Sequence, residues 1–564
     1  MKRLLIANRG EIALRILRAA RDLKIETVAI YAEADRESPA PRLADQAYCL
    51  GDGGPRETYL DAAKIIAIAR QTGADAVHPG YGLLSENADF ARAVIAAGLI
   101  WVGPPPDVIA LLGDKRAARD LARKVGAPLA LGSDGTVATA ADAAAIAARI
   151  GLPVAIKAAF GGGGRGIRVV RDMADLPEAF ATATREAAQA FGRGDCYVEQ
   201  FLDRPRHIEV QVLADHHGHI LTLGTRDCTL QRRNQKLIEE APAPDLTPAQ
   251  RSVFETAATE ICRAAGYRNA GTVEFLLSRD GVTTFLEVNT RLQVEHPVTE
   301  EIHGIDIVTW QLRIAAGEVL PDIAVPRGHA MEFRINAEDS GRGFLPTPGK
   351  ITALHWPFGP GVRIDSGVQA GQIVPQAFDS LIAKIIIWGE DRATCLARAR
   401  RALAEAEIAG IATTLPFHRA MLENPALTAT DARMLHTRWI EEEMPPLPPS
   451  PRVDPASDDT WRGQIEIDGR LHRVALPAAL FGQSRPAAPP QPEVTGDLSA
   501  PFAGQFTRWM VADGATITAG APIAVMEAMK AEHQLIAPRS GVITQLVATD
   551  TMLNAGDLIA RITP

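Results

Sequence analysis

No two of the five cysteines form a C-x-x-C pair: Cys49, Cys196, Cys228, Cys262 and Cys395 are scattered along 564 residues. That scatter argues against a disulfide framework or a thiolate zinc site and predicts buried structural thiols. No apolar run approaches the ~20 residues of a membrane span. The opening MKRLLIANRGEIALRIL has too short an apolar run for a signal-peptide core. The expectation is a cytoplasmic protein with no membrane partner. A basic excess is also missing. With a formal net charge of -9 and no arginine-lysine run interleaved with aromatics, the chain offers no field for a nucleic-acid backbone.

What is present is length and apolar content. At 46% hydrophobic over 564 residues, the chain can build about three or four cores. Residues 1–113 alternate short apolar runs (RLLIAN, TVAIYAE, DAVHPG, LIWVGP) with helix-period segments, which predicts an α/β layer with a mostly parallel sheet. Residues 114–203 contain LPVAIKAAFGGGGRGIRVVRD, read as strand, glycine loop, strand. Residues 204–445 mix strands and helices and run into EEEMPPLPPSPRVDPASDD, where prolines stop regular structure. Residues 446–498 read as a linker with a small hairpin, 459–481, around Asp468-Gly469.

Residues 499–564 repeat themselves. APFAGQFTRWMVADGATITAGAPIA is echoed by APRSGVITQLVATDTMLNAGDLIA, so two similar all-β halves meet at Met529-Lys530. This predicts a small flattened β-barrel with Lys530 at a hairpin tip. An ordinary surface lysine is the bland reading. The sharper one is that a rigid hairpin presents one amine to a modifying ligase.

In AIKAAFGGGGRG the lysine precedes the glycines and a strand follows, so this is neither a Walker A loop nor a dinucleotide fingerprint. Glycines 161 to 164 lack Cβ atoms, so backbone N–H groups can close over phosphates, with Lys157 and Lys115 adding charge. The most informative stretch is GTVEFLLSRDGVTTFLEVNTRLQVEHP. A turn at Asp280-Gly281 sets Glu274 opposite Glu287. Alternation then puts Phe285, Glu287, Asn289, Arg291, Gln293 and Glu295 on one face, and Leu286, Val288, Leu292 and Val294 on the other. Two carboxylates about 5 Å apart repel by roughly 3 kcal/mol at an effective dielectric of ~20. A cation between them is expected, and oxygen donors suit Mg²⁺ or Mn²⁺.

Two resemblances follow from these residues. EAMKAEH in a domain opened by SAPFAG resembles biotinyl carrier domains; lipoyl carriers share the fold but usually have an acidic residue where Met529 stands. IANRGEIALRIL, HPGYGLLSEN, LLGDKRAAR, RDCTLQRRNQKLIEEAPAP and EFRINAED make residues 1–445 resemble an ATP-grasp biotin carboxylase with a Rossmann-like N-terminal domain. The whole chain is similar to the α subunit of a two-subunit bacterial acyl-CoA carboxylase.

The resemblance implies biotin on Lys530 and an ATP site formed by Lys115, Lys157, Gly162, Gly163, Gly164, Glu199, Leu202, His207 and Gln231. It implies metal on Glu274, Glu287 and Asn289, and bicarbonate at Arg291 beside Gln293 and Val294. Glu295 would be the general base, Lys236 would stabilise carboxyphosphate, Arg334 would stabilise the biotin enolate, and Tyr81 would line the biotin site. The implied partners are a biotin protein ligase and a carboxyltransferase β subunit, with the carboxylase homo-oligomeric inside an α-β complex. The alternatives are a non-catalytic biotinyl scaffold and a pyruvate carboxylase subunit. His78, His216, His217 and His219 read as solvated loop histidines.

Overall fold

The computed structural model describes residues 1–133, 135–158, 167–191, 194–429, 434–450, 460–467, 470–477, 497–529 and 531–563. The run containing Gly162, Gly163 and Gly164 lies outside the described residues, as does Lys530.

The first apolar runs form a five-stranded, all-parallel sheet in the order Gln46–Cys49, Glu26–Tyr31, Arg3–Ile6, Ala76–His78, Ile100–Trp101. Its central strands are buried on both faces, which is why they read as continuous apolar runs. Helices Ala62–Gln71 and Ala88–Ala96 start where Asp61 and Asn87 accept hydrogen bonds from the backbone N–H of Lys64 and Phe90. A separate three-stranded sheet, Ile167–Val170, Val154–Ala158, Cys196–Gln200, carries Lys157 and Glu199. Helices Ala140–Ile150 and Leu176–Phe191 accompany it.

The site is built on one eight-stranded antiparallel sheet. Its order is Thr283–Asn289, Asn269–Leu277, Arg206–Ala214, Ile220–Arg232, Gln235–Ala241, His329–Asn336, Leu381–Gly389, Val362–Ser366. One face of its C-terminal half packs Met331, Phe333, Ile385 and Ile387 into the largest core. The strand pair Thr460–Ile467 and Arg470–Pro477 forms in the linker region.

The C-terminal repeat becomes two four-stranded sheets over a core that includes Phe506, Ile523, Met526, Ile543 and Ile562. The halves exchange short strands. Thr516–Ile517 pairs with Gly541–Gln545, and Thr551–Leu553 pairs with Gly504–Trp509.

Two expectations are corrected. Cys49 is exposed while the other four cysteines are buried. His78 is not a solvated loop residue: it ends a buried strand, with Nε2 3.2 Å from Gln311 Oε1, and burial lowers its pKa to about 3. His216, His217 and His219 are exposed.

Candidate active site

Strands Asn269–Leu277 and Thr283–Asn289 pair Glu274 with Glu287 and Thr272 with Asn289. The turn differs from a two-residue hairpin. Ser278 N–H bonds Val282 C=O at 2.9 Å around a wider loop, and a register shift between Glu274 and Phe275 leaves Leu286 as the extra residue. That bulge overturns the expected alternation. Phe285 joins Val288 in the core, and Leu286 is 44% exposed. The strand ends at Asn289, so Arg291, Gln293 and Glu295 are placed by the following turn and helix His296–His303.

Glu274 is buried and held through both oxygens. Its Oε2 lies 2.9 Å from His207 Nε2, and its Oε1 accepts from Lys236 Nζ at 2.9 Å and Gln293 Nε2 at 3.0 Å. Glu287 is short of positive charge: Lys115 Nζ stands 3.9 Å away. Burial, then Glu274, raise its carboxyl, with Lys115 opposing. Asn289 Oδ1 accepts from Arg291 Nη2 at 2.9 Å. An all-oxygen set with an under-compensated carboxylate fits a hard divalent cation, which would supply charge at substrate phosphates. His207, Glu209 and Glu274 also form a tight buried group, but the Lys236 ammonium already meets its charge.

Lys236 is the hub. Its Nζ lies 2.6 Å from Glu209, 2.9 Å from Glu274 and 2.5 Å from Glu295. Burial works against the ammonium, yet Cys228, Glu209, Glu274 and Glu295 together hold its pKa well above the usual lysine range. Glu295 is buried, and burial pushes its carboxyl up, but Lys236, Arg334 and Arg226 outweigh burial and keep it ionised. Arg334 donates from Nη2 to Glu295 Oε2 at 2.9 Å and from Nε to Glu239 Oε1 at 2.6 Å. Glu239 faces Glu332 across the strands, and both are buried with unpartnered oxygens. Burial, opposed by Arg334 and reinforced by Glu295, pushes the Glu239 carboxyl up to about 7.

Arg291 does not present an open fork. Nε donates to Glu86 Oε2 at 2.9 Å and Nη1 to Gln293 Oε1 at 3.0 Å. Val294 contributes its carbonyl, which accepts from Lys384 Nζ at 2.7 Å. Tyr81 O–H donates to Glu11 Oε1, which also faces Lys384. Gln231 Nε2 sits 3.3 Å from His207 Nδ1. Lys157 pairs with Glu199, whose other oxygen lies 2.6 Å from Arg119, and Leu202 is buried.

Lys236, His207, Glu274, Gln293, Glu295 and Arg334 therefore form one hydrogen-bonded network. The Lys157 and Glu199 pair forms a second cluster. Sequence reasoning missed Glu86, Arg119, Glu209, Arg226 and Glu239. A signal existed for Glu209: in HIEVQVLA polar residues alternate with apolar ones, and Glu209 and Gln211 line a buried polar face.

A buried network of carboxylates and cations on an antiparallel sheet, joined to a small two-sheet β domain, is what the fold and site define, and the comparisons give its class. Four family models match in order. They are "Biotin carboxylase, N-terminal domain" over 1–109, "Carbamoyl-phosphate synthase L chain, ATP binding domain" over 114–323, "Biotin carboxylase C-terminal domain" over 332–442 and "Biotin-requiring enzyme" over 496–562. The biotin-dependent acyl-coenzyme A carboxylase alpha3 subunit of Mycobacterium leprae is 50% identical over 588 aligned positions, covering 99% of this chain and 98% of its own. A pyruvate carboxylase subunit of Methanothermobacter thermautotrophicus is 47% identical, covering 78% of this chain and 89% of its own. The biotin carboxylase from Campylobacter jejuni, solved as a β-γ-ATP complex, superposes with a TM-score of 0.72 at 43% identity, covering 78% of this chain and 98% of that one. The chain belongs to the family of biotin-dependent carboxylase α subunits, and it is an ATP-dependent biotin carboxylase fused to a biotinyl carrier domain. Covalent biotin, ATP and Mg²⁺ or Mn²⁺ are the cofactors and substrate that go with that family.

Proposed function

We propose that this chain carboxylates a biotin attached to its own Lys530 and hands the carboxyl group to a separate carboxyltransferase β subunit, with an acyl-CoA as final acceptor. The observation that carries the chemistry is Lys236, one ammonium shared by Glu209, Glu274 and Glu295. Glu295 is held as the carboxylate a general base must be, but Lys236 and Arg334 also make it a weak base. Anionic substrate draws both cations away and raises the proton affinity of Glu295. The base then removes the bicarbonate proton as bicarbonate oxygen attacks the γ-phosphorus of ATP, giving carboxyphosphate and ADP.

Arg291 holds bicarbonate once Glu86 yields its place, with Gln293 and Val294 alongside. Lys115, Lys157, His207, Glu199, Leu202 and Gln231 serve ATP together with Gly162, Gly163 and Gly164, and Glu274, Glu287 and Asn289 hold the divalent metal. The attached biotin would supply a ureido nitrogen as acceptor, its proton leaving with the phosphate released from carboxyphosphate, and Arg334, with Tyr81 nearby, would steady the negative charge that develops on the ureido group.

The transfer step is assigned to a partner because the Mycobacterium leprae relative, matched over 99% of this chain, is named as an α subunit, and residues 443–495, between the carboxylase and carrier matches, are fewer than a further domain of the ordinary ~100–150 residues needs. The Mycobacterium leprae relative supports acyl-CoA as acceptor, and the Methanothermobacter thermautotrophicus relative makes pyruvate the second reading. A biotin protein ligase, a homo-oligomeric carboxylase within an α-β complex and a cytoplasmic location complete the proposal. Purified alone with ATP, Mg²⁺ and labelled bicarbonate, the chain should acquire label on Lys530, and Lys530→Arg should abolish it. Label retained by Lys530→Arg refutes the attachment site, and labelled acyl-CoA or oxaloacetate from the lone chain refutes the division of labour.

A further inference from the structure

Three tight turns from distant parts of the chain meet where the carrier touches the carboxylase. Arg233 and Asn234, at the tip of the hairpin joining Ile220–Arg232 to Gln235–Ala241, hold φ of 48° and 65°. Phe344, just before strand Leu345–Pro346, holds φ 58°, and Met529 of the carrier holds φ 49°. Four side-chain-bearing residues in the left-handed region, each costing of order 1 kcal/mol, are over-determined by what surrounds them.

The contacts explain the arrangement. Met529 is 4% exposed although it stands beside the expected hairpin tip, and it is buried in the same apolar cluster as Phe344 in the carboxylase. In return Leu345 packs against the carrier's own core. Arg232 lies over the Phe344 ring at 4.9 Å, and Arg233 Nη1 donates to the Glu532 backbone carbonyl at 3.1 Å. His533 of the carrier is buried on the same side, stacked edge-on against Phe502 at 5.1 Å. Arg233 is also tied down from behind, its N–H donating to Glu441 Oε1 at 2.7 Å.

From this reciprocal burial we infer that the Arg232–Asn234 hairpin tip and the Phe344–Leu345 turn form a docking cradle for this chain's own carrier domain, with Met529 as the knob that seats it. The inference rests on the proposal that Lys530 carries the biotin, because Met529 is its immediate neighbour. The cradle hairpin also carries Lys236, three residues beyond Arg233, so the surface that receives the carrier is continuous with the site that charges it.

Two full-length variants on the carboxylase side, Arg233→Glu and Leu345→Asp, test the cradle without altering the sequence around Lys530. Among the described residues Arg233 bonds Glu441 and Glu532, and Leu345 packs on the carrier core, away from the hydrogen bonds of the site network. Intact mass should show unchanged biotinylation, and ATP cleavage stimulated by free biotin should stay within roughly twofold of wild type. Label transfer from bicarbonate to the attached biotin should fall about tenfold or more, the usual scale for loss of a central interface contact. Unchanged transfer to the attached biotin in both variants overturns the cradle. A parallel fall in the free-biotin reaction also overturns it, since the variants would then be damaging the site. Absence of biotin on the wild-type chain appears first in the mass and refutes the Lys530 reading itself. Mixing Glu295→Gln chains, which keep an intact carrier, with Lys530→Arg chains, which keep an intact carboxylase, identifies the source of the docked carrier. Transfer in the mixture as fast as in wild type would give that role to a second copy and overturn the same-chain assignment.

Discussion

Replacing Lys236 by methionine keeps most of the stem and deletes one buried positive charge among three carboxylates whose oxygens stand 2.6, 2.9 and 2.5 Å from Nζ. Removing one partner of a buried ion pair costs about 3–5 kcal/mol, because the remaining charge is stranded. At about 2.1 cal/mol/K of unfolding entropy per residue, a carboxylase of roughly 445 residues converts that loss into a Tm decrease of about 3–5 °C. The pH dependence separates this cause from ordinary packing damage. In the wild-type protein Glu295 is depressed well below the usual carboxyl range, so its contribution is present above the unfolded pKa of ~4.3 and is lost only as pH falls through the lower folded value. Lys236 is raised, so its contribution is complete below ~10.4 and is lost only above that. Between about pH 5 and 8 the contributions of Glu295 and Lys236 therefore change little. In the variant the crowded carboxylates take up protons as pH falls, which relieves their repulsion. Thermal unfolding followed at several pH values should show the full deficit near pH 8 and a shrinking one toward pH 5. A Tm gap of constant size across that range would refute the claim that Lys236 balances these carboxylates.

Glu287→Gln should raise the Mg²⁺ concentration needed for half-maximal ATP cleavage, since Glu287 is the carboxylate whose charge is only partly met, by Lys115 at 3.9 Å; an unchanged metal titration would show it to be merely solvated. Arg291→Ala should raise the KM for bicarbonate at least about tenfold while nucleotide binding, measured by calorimetry, stays intact. Burial raises the Glu239 carboxyl to about 7, so on the proposed role of Arg334 its charged form, favoured above that value, would compete with substrate for the guanidinium. The activity of Glu239→Gln relative to wild type should therefore rise as pH increases through that value, and a flat ratio would exclude the competition.

The parts of this molecule that were legible in the sequence are those set by local rules. Asp280-Gly281 announced a hairpin, and the pairing of Glu274 with Glu287 follows from counting outward from it. The carrier showed itself as a repeat, and the parallel N-terminal sheet as short apolar runs between helix-period segments. The bulge at Leu286 was not legible, because a wider turn and one extra residue compensate each other and leave the Glu274 register as a symmetric turn would set it. The Lys236 hub was hidden for a different reason. Its partners come from positions 209, 274 and 295, on different elements, and no local pattern says which carboxylates share an ammonium. Glu86 was invisible for the same reason, reaching Arg291 across 205 positions of sequence.

The eight-stranded sheet also decides which pieces of this chain can be cut free. Strand His329–Asn336 pairs residue by residue with Gln235–Ala241 on one side and Leu381–Gly389 on the other, so the sheet runs without a break across the point where the ATP-binding match ends at 323 and the C-terminal match begins at 332. A fragment stopped there would leave Gln235–Ala241 as an open edge, its N–H and C=O groups unpaired and Leu237 and Ile238 stripped of cover, a template for self-association. The carrier ends quite differently, with both of its sheets closed within residues 498–563. Of the four matched regions, the last can be excised and expressed as a module, while the second and third are one piece of hydrogen-bonded fabric that only sequence comparison divides.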